Sequence, residues 1–467
     1  MPKLSKFFIY VALVLFCNNV FALKVSVPQN IASNLSVSVY DISKQSNVYN
    51  YKATTPRLIA SNMKLLTTYV GLDKLGKDFK WQTQVGYTGS LSGETLNGDL
   101  VIIGGGDPTL SLQDLSIAVN QLKIKKITGN IVYSNQYFLS HPKSSELYPE
   151  PYAEYSAEPN GLLINQGLTK VTLNLGIDSS AKLSPSQFAD YTVKASKITI
   201  DNKCNCACVN PDSYIQISAI KKTLYPQGRV PASCDGKSIT FYAPDSNIFT
   251  NLSIASVFGQ SGIKYESIIA NKLPLGKVKI VNTKYSESLG AISYTMNQQS
   301  NNLYAKTIFM TSGIGESKQT DFKQSQSSYL ATLNKNFKFN ELNSNSLENG
   351  SGLSRHEKLT TQHMIQLLNN MYNSSNKNLV LDSLPTPGDR NNTLGNDFTN
   401  YAQMLYVKTG TLADVKAYSG YFINQQGNVY SVSFVLNNLN NNKTKSQQLN
   451  EFKQLIQDIL EQLNKSS

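Results

Sequence analysis

Ser61-Asn62-Met63-Lys64, Ser300-Asn301-Asn302 and Lys408-Thr409-Gly410-Thr411 stand in that order along a chain of 467 residues. Each string alone arises easily by chance. Their residue types and order together match the parts of a serine acyl-transfer site in which lysine takes the place of histidine as base. A chain that uses them jointly must bring three distant segments into one cleft. That requirement constrains the fold more than any compositional figure does.

The chemistry asks for these residue types. A serine hydroxyl is a poor nucleophile until a neighbouring base takes its proton. Residues i and i+3 of a helix are neighbours, so Ser61 and Lys64 face the same way. Lys64 serves as base only when neutral, a state favoured by burial and by a second cation, for which Lys408 is the obvious source. At the start of a helix, Ser61 would also aim backbone N–H groups at developing negative charge. Ser300 supplies a hydroxyl able to relay a proton between Lys64 and a leaving amine, and Asn302 an amide to hold Lys64 or grip a substrate backbone. Lys408 is expected at a strand end, where Gly410 lets a substrate lie alongside as an added strand. Lys408 and the hydroxyls of Thr409 and Thr411 suit a substrate carboxylate. The N–H groups of Ser61 and Thr411 would form the oxyanion hole.

A Ser-His-Asp triad is the competing arrangement. The three histidines, His141, His356 and His363, have no G-x-S-x-G elbow to serve and read as surface or packing residues. Hydrophobic residues at 40% and charged residues at 16% fit a globular protein. The formal charge of +12 suits an anionic partner. Nucleic acid ranks below a membrane or an acidic wall polymer, because no basic run is interleaved with aromatics. Peripheral association with wall or membrane follows as an expectation, and an ordinary basic surface is the plain alternative.

Lys3 and Lys6 precede the apolar run Phe7 to Phe16, and Val20-Phe21-Ala22 is a small-residue cleavage site, so residues 1–22 read as a signal peptide and Leu23 as the first mature residue. This predicts a periplasmic protein. Bulky Phe16 before Cys17 argues against a lipid-modified cysteine. The remaining Cys204, Cys206, Cys208 and Cys234 read as disulfides. Cys234 is expected to pair with one of the cluster, leaving a tight C-x-C pair for the other two. The C-x-C-x-C spacing with no histidine nearby argues against a metal, and no organic cofactor is suggested.

Leu35 to Tyr40 has the period of a half-buried strand, and Pro56 to Leu75 that of a helix stopped by Gly76. Strand-like runs then follow at Leu100 to Ile103, Ile127 to Tyr133, Val171 to Leu175, Tyr191 to Ile200 and Ser238 to Tyr242. Gly104-Gly105-Gly106-Asp107-Pro108 lacks the phosphate-loop pattern and reads as a turn. Later, Leu289 to Met296 and Leu359 to Met371 read as helices, and Met404 to Val407, Tyr418 to Phe422 and Val429 to Leu436 as strands. The apolar face of Leu449, Phe452, Leu455, Ile456, Ile459, Leu460 and Leu463 predicts a helix docked on the sheet. These signals divide the chain into 23–89 and 276–467, an α/β body in two parts, and 90–275, a β-rich insertion.

The chain resembles the D-alanyl-D-alanine carboxypeptidase/endopeptidases of the penicillin-binding protein 4 type, the low-molecular-mass class C penicillin-binding proteins. The likeness covers nearly the whole mature chain. Pro56 to Thr67 resembles the family's nucleophile helix, Leu96 to Leu110 its G-D-P-T-L segment, Asn349-Gly350-Ser351-Gly352-Leu353-Ser354-Arg355 its D-G-S-G-L-S-R motif, and Lys408 to Leu412 its third box. The resemblance implies a serine transpeptidase/β-lactamase-like α/β domain, a five-stranded sheet flanked by helices, with inserted β-rich domains. It implies peptidoglycan stem peptides as substrate, cleavage of D-Ala-D-Ala or of cross-links, and β-lactams as covalent inhibitors. The family's catalytic places fall on Ser61, Lys64, Ser300, Asn302 and Lys408. Its contacts to the substrate's third residue fall on Glu150, Tyr155 and Arg355. The chain departs from the family with Glu for Asp at 150, Asn349 for Asp, Asn391-Asn392-Thr393-Leu394 for G-x-D-G-T-L, and Ala413 where a polar residue is usual. Two other readings compete: a weak β-lactamase, distinguished by a short acyl-enzyme lifetime, and a non-catalytic wall-binding protein that keeps the fold, in which Lys64→Ala would leave muropeptide binding unchanged.

Overall fold

A computed structural model of the chain describes residues 23–141, 153–175, 181–185, 192–193, 197–201, 203–204, 206–208, 211–220, 223–243, 246–271, 277–315, 318–339, 341–439 and 444–466. The expected signal peptide and Glu150 lie outside these residues.

Strands Leu35–Asp41 (β1), Ser46–Tyr51 (β2), Leu405–Leu412 (β3), Val415–Ile423 (β4) and Val429–Leu436 (β5) form a five-stranded antiparallel sheet in the order β2-β1-β5-β4-β3. Opposite ends of the chain thus meet at its centre, with Leu35 across from Leu436 and Val39 across from Val432. The covering helices are Met63–Leu75 (α1), Leu289–Gln299 (α2), Asn302–Thr311 (α3), Phe322–Asn336 (α4), Thr361–Tyr372 (α5) and Thr444–Lys465 (α6). On one face α6 packs Phe452, Leu455, Ile456 and Ile459 against Val37, Val39, Val432 and Phe434. On the other, α1 to α5 share a core with Ala417, Tyr421 and Val435. The apolar stripe of the C-terminal helix therefore docks on the sheet, as its spacing predicts.

Two helical layers leave β1 buried on both faces, not half-buried as its alternation suggests. Its polar face is paired, not wet: Ser38 Oγ meets Thr361 Oγ1 of α5 at 2.8 Å. Ser38, Ser433, Ser419 and Lys408 stand in register across β1, β5, β4 and β3. The serines are small enough to admit the turn before α1, and Asn62 Nδ2 of that turn donates to Ser419 Oγ at 2.8 Å. The row ends at Lys408, so sheet register fixes where that lysine sits.

Three expected boundaries move. The helix read from Pro56 starts at Met63, because Arg57–Leu58 pairs as a short strand with Lys358–Leu359 and Ala60–Asn62 forms a 3-10 turn. β3 runs to Leu412, so Lys408 lies within the strand and not at its end. The run from Ile127 to Tyr133 is two strands, Lys126–Ile127 and Ile131–Ser134. Between them Gly129 passes so close to Asp99 that an added Cβ would lie 2.3 Å from its Oδ1. Within the run Tyr191 to Ile200, Thr192–Val193 and the start of Lys197–Asp201 are strands, both parallel to Thr223–Pro231.

Between α1 and α2 lie further sheets. One has five strands, in the order Ile268–Ala270, Ile131–Ser134, Leu100–Ile103, Gln82–Tyr87 and Lys279–Tyr285, over a core of its own. A second region contains a three-stranded sheet around Leu168–Leu175 and a four-stranded one around Thr223–Pro231. Its core includes Leu173, Val230, Cys234 and Phe241. Cys208 is bonded to Cys234 and Cys204 to Cys206, the expected division of the four cysteines. The glycine-rich run ends in a local turn in which Asp107 Oδ1 accepts from Thr109 N at 2.8 Å and Thr109 Oγ1 at 2.6 Å.

Candidate active site

Ser61 sits in the 3-10 turn, and Lys64 follows in the first turn of α1. The spacing of three aligns them: Lys64 Nζ donates to Ser61 Oγ at 3.1 Å. It also donates to Asn302 Oδ1 at 2.6 Å and to the carbonyl of Ser351 at 2.7 Å. The turn is strained, since Ala60 has φ 47°. Two glycines hold it. A Cβ on Gly352 would lie 1.9 Å from the Ala60 carbonyl oxygen, and one on Gly410 would lie 2.6 Å from that of Ile59. Gly410, read from sequence as room for a substrate strand, admits the serine-bearing turn against β3.

The second string is the joint between two helices. Ser300 ends α2 in the left-handed conformation at φ 59°, and Asn301 caps α3 by accepting from Tyr304 N at 2.9 Å. Asn302 then projects from the first turn of α3 toward Lys64. Its Nδ2 donates to the Tyr155 carbonyl at 3.1 Å. The Tyr155 carbonyl can only accept, so this second bond takes the amide nitrogen and leaves its oxygen toward Lys64.

Lys408 is fully buried, and its Nζ donates to Ser300 Oγ at 3.1 Å and to the Thr409 carbonyl at 2.9 Å. Ser300 therefore touches Lys408. Thr409 is also buried, with its hydroxyl 2.6 Å from that of Thr393. That contact gives Asn391-Asn392-Thr393-Leu394 a place at the site despite its departure from the family pattern.

Electrostatics at Lys64 favour the free amine. Burial holds its ammonium well below the ordinary lysine value, and Lys408 and Lys306 lower it further, while Glu357 acts in the opposite sense. Burial, helped by Lys416, pushes Lys408 down to about 7. Glu357 went unnoticed in the sequence because nothing in its spacing marks it. Its Oε1 accepts the backbone N–H groups of Glu348 at 2.9 Å, Asn349 at 2.9 Å and Gly350 at 3.1 Å. This gathers the loop whose Ser351 carbonyl holds Lys64. Asn349 Oδ1 completes the loop by accepting from Ser351 N at 3.0 Å and Ser351 Oγ at 2.7 Å. An Asn there does the turn-forming work of the family's Asp.

Ser61, Tyr155, Ser300, Asn302, Arg355 and Thr411 line one cleft of about 390 Å³, with Leu353, Ser354, Leu412 and Ala413. Lys64 and Lys408 are buried beneath it. Arg355 at the rim is paired with Asp414, a partner that its motif does not imply. The histidines stand elsewhere: His141 against the Pro159 carbonyl at 3.0 Å, His363 against Glu341 at 3.0 Å, and His356 exposed.

Residues 22–458 match the model of the D-Ala-D-Ala carboxypeptidase 3 (S13) family. The chain belongs to that family. It is thereby an enzyme of the serine-type D-Ala-D-Ala carboxypeptidase class. It is 24% identical over 420 residues to a D-alanyl-D-alanine carboxypeptidase of Actinomadura sp. (strain R39), covering 84% of this chain and 75% of that one. Among solved structures it is similar to penicillin-binding protein 4 (dacB) from Haemophilus influenzae, with a TM-score of 0.76, 21% identity and coverage of 91% and 96%. A penicillin G-acylated predatory endopeptidase from Bdellovibrio bacteriovorus shares the fold at a TM-score of 0.53 and 15% identity, with coverage of 91% and 92%. The transpeptidase-like α/β fold with its insertions is the fold of this family member.

Proposed function

We propose that this S13 enzyme acts on peptidoglycan stem peptides with Ser61 as nucleophile and Lys64 as general base. The observation that carries the reading is the fully buried Lys64 amine, 3.1 Å from Ser61 Oγ. Neutral Lys64 takes the Ser61 proton as Oγ bonds to the carbonyl carbon of the penultimate D-alanine. The N–H groups of Ser61 and Thr411 receive the oxyanion. Lys408 passes a proton through Ser300 Oγ to the departing amine as the C–N bond breaks, a direction favoured by its own lowered affinity for that proton. Water then adds to the ester carbonyl as its proton passes through Ser300 Oγ back to Lys408, and the C–O bond to Ser61 breaks as Oγ takes back the proton held by Lys64. A β-lactam offers the same carbonyl chemistry and would form the same ester on Ser61.

Tyr155 and Arg355 at the rim, with Glu150, take the side chain of the substrate's third residue. Such a substrate lies in the periplasm, which agrees with cleavage of a signal peptide near Ala22. Among the described residues no helix is long and apolar enough to cross a membrane. The decisive test is labelling by a fluorescent penicillin. Stoichiometric labelling is expected, lost in Ser61→Ala, and an unlabelled but natively folded wild-type protein would refute the reading.

A further inference from the structure

Lys306 is a charged side chain with no exposure, placed one helical turn beyond Asn302 on α3. Its Nζ donates to the Ala157 carbonyl at 2.9 Å, the Ser156 carbonyl at 3.4 Å and Glu158 Oε1 at 2.9 Å. The same face of α3 carries Asn302, whose Nδ2 reaches the carbonyl of Tyr155. Residues 155–158 are thus stitched to α3 along one helical turn. This segment supplies Tyr155 to the wall of the cleft, and its backbone orients the Asn302 amide toward Lys64. A lysine is a costly choice for such a clamp, because burying its charge requires a partner that an apolar residue would not need.

We propose that Lys306, paired with Glu158, is a positioning residue: it fixes residues 155–158 as a wall of the active cleft and, through Asn302, sets the geometry and charge environment of Lys64. The proposal rests on the assignment of Lys64 as base. Charged groups acting on Lys64 come from every side: Lys408 from β3, Lys306 from α3 and Glu357 from the loop before α5, with the Tyr329 hydroxyl of α4 one step away through Thr67. Lys306 is thus a source of positive potential at the base, partly offset by Glu158.

Two substitutions separate positioning from mere support. Lys306→Met removes the cation and leaves a carboxylate behind. Lys64 should then hold its proton to higher pH, and the rising limb of penicillin acylation should move to the alkaline side. Glu158→Gln leaves the cation uncompensated and should move that limb to the acid side. Lys306→Met should also slow acylation roughly 10- to 100-fold, the scale set by small misplacements of reacting groups. Hydrogen exchange of the amides in 153–160 should speed up in Lys306→Met, while those of β4 and β5 stay protected, which shows the variant folded. Limbs that move together, or stay in place, overturn the proposal, as does unchanged exchange in 153–160. The exchange experiment needs no acylation. If the wild-type protein fails to react with penicillin, the assignment of Lys64 falls, and exchange alone still decides whether Lys306 holds the wall.

Discussion

A buried lysine that must be neutral to act imposes a cost on the fold that rises as pH falls. For Lys64 the consequence is kinetic. Its ammonium form has no lone pair, so acylation by a fluorescent penicillin should increase with pH as its lowered affinity for the proton is passed. A rate independent of pH from mildly acid to alkaline conditions would mean another base. For Lys408 the consequence is thermodynamic. Its folded-state value of about 7 lies below the ordinary lysine value of 10.5, so the unfolded chain binds the extra proton across that window. The destabilisation is complete below about 7 and is relieved as pH rises toward 10.5. Lys408→Met should abolish acylation while stabilising the fold near neutral pH. The gain is expected to be about 2 kcal/mol, smaller than the full linkage term because Ser300 Oγ and the Thr409 carbonyl lose their donor. Thermal unfolding across pH checks this: the advantage of the variant should shrink in alkaline buffer. Among single residues, Ser61, Lys64 and Lys408 were readable because their chemistry is specific. Lys306 and Glu357 were not, since a lone buried charge is visible only through the partners that folding brings to it.

At the level of elements, the site depends on how closely β3 approaches the turn before α1. Gly410 is the point of approach, and a Cβ there would also lie 3.2 Å from Ala60 Cβ. Gly410→Val should push the turn away from β3 and cut penicillin acylation by about 100-fold. Strand β3 is held along its whole length by β4, so the loss of stability should be only about 1–3 kcal/mol, the usual scale of overpacking. Acylation rates and denaturant unfolding of the variant measure the two effects separately, and normal acylation would show that the contact is not needed. The boundaries misjudged from sequence belong to the same contact. Lys408 and Gly410 look like the end of a strand, because a charge and a glycine usually mark one. Inside β3 both are explained by what lies across from them, Ser300 for the lysine and the turn for the glycine. Likewise Pro56 to Asn62 carries helical periodicity, but pairing with Lys358–Leu359 and the left-handed Ala60 override it.

On the scale of the whole molecule, the sheet-and-helix body and the β-rich material answer to different signals. The order of the three boxes and the long gap between the first two made the general plan legible. How the insertion folds was not, because its strands are short and its disulfide pairing is a matter of three-dimensional proximity. That difference yields a final expectation. Cys208–Cys234 closes a separation of 26 residues, and Cys234 lies in a core that shares no residue with the one around Lys64. A crosslink of that span stabilises by about 3.5 kcal/mol on the chain-entropy argument. Replacing both cysteines with serine should therefore lower the melting of the second region of the insertion and split the thermal transition in two. Penicillin acylation at room temperature should remain within about twofold, because the crosslinked core is separate from the one around Lys64 and residues 155–158 stay held to α3 by Lys306 and Asn302. Calorimetry and acylation measured on the same preparation decide the matter. A single lowered transition with acylation lost in step would mean that the insertion and the catalytic body stand or fall as one cooperative unit.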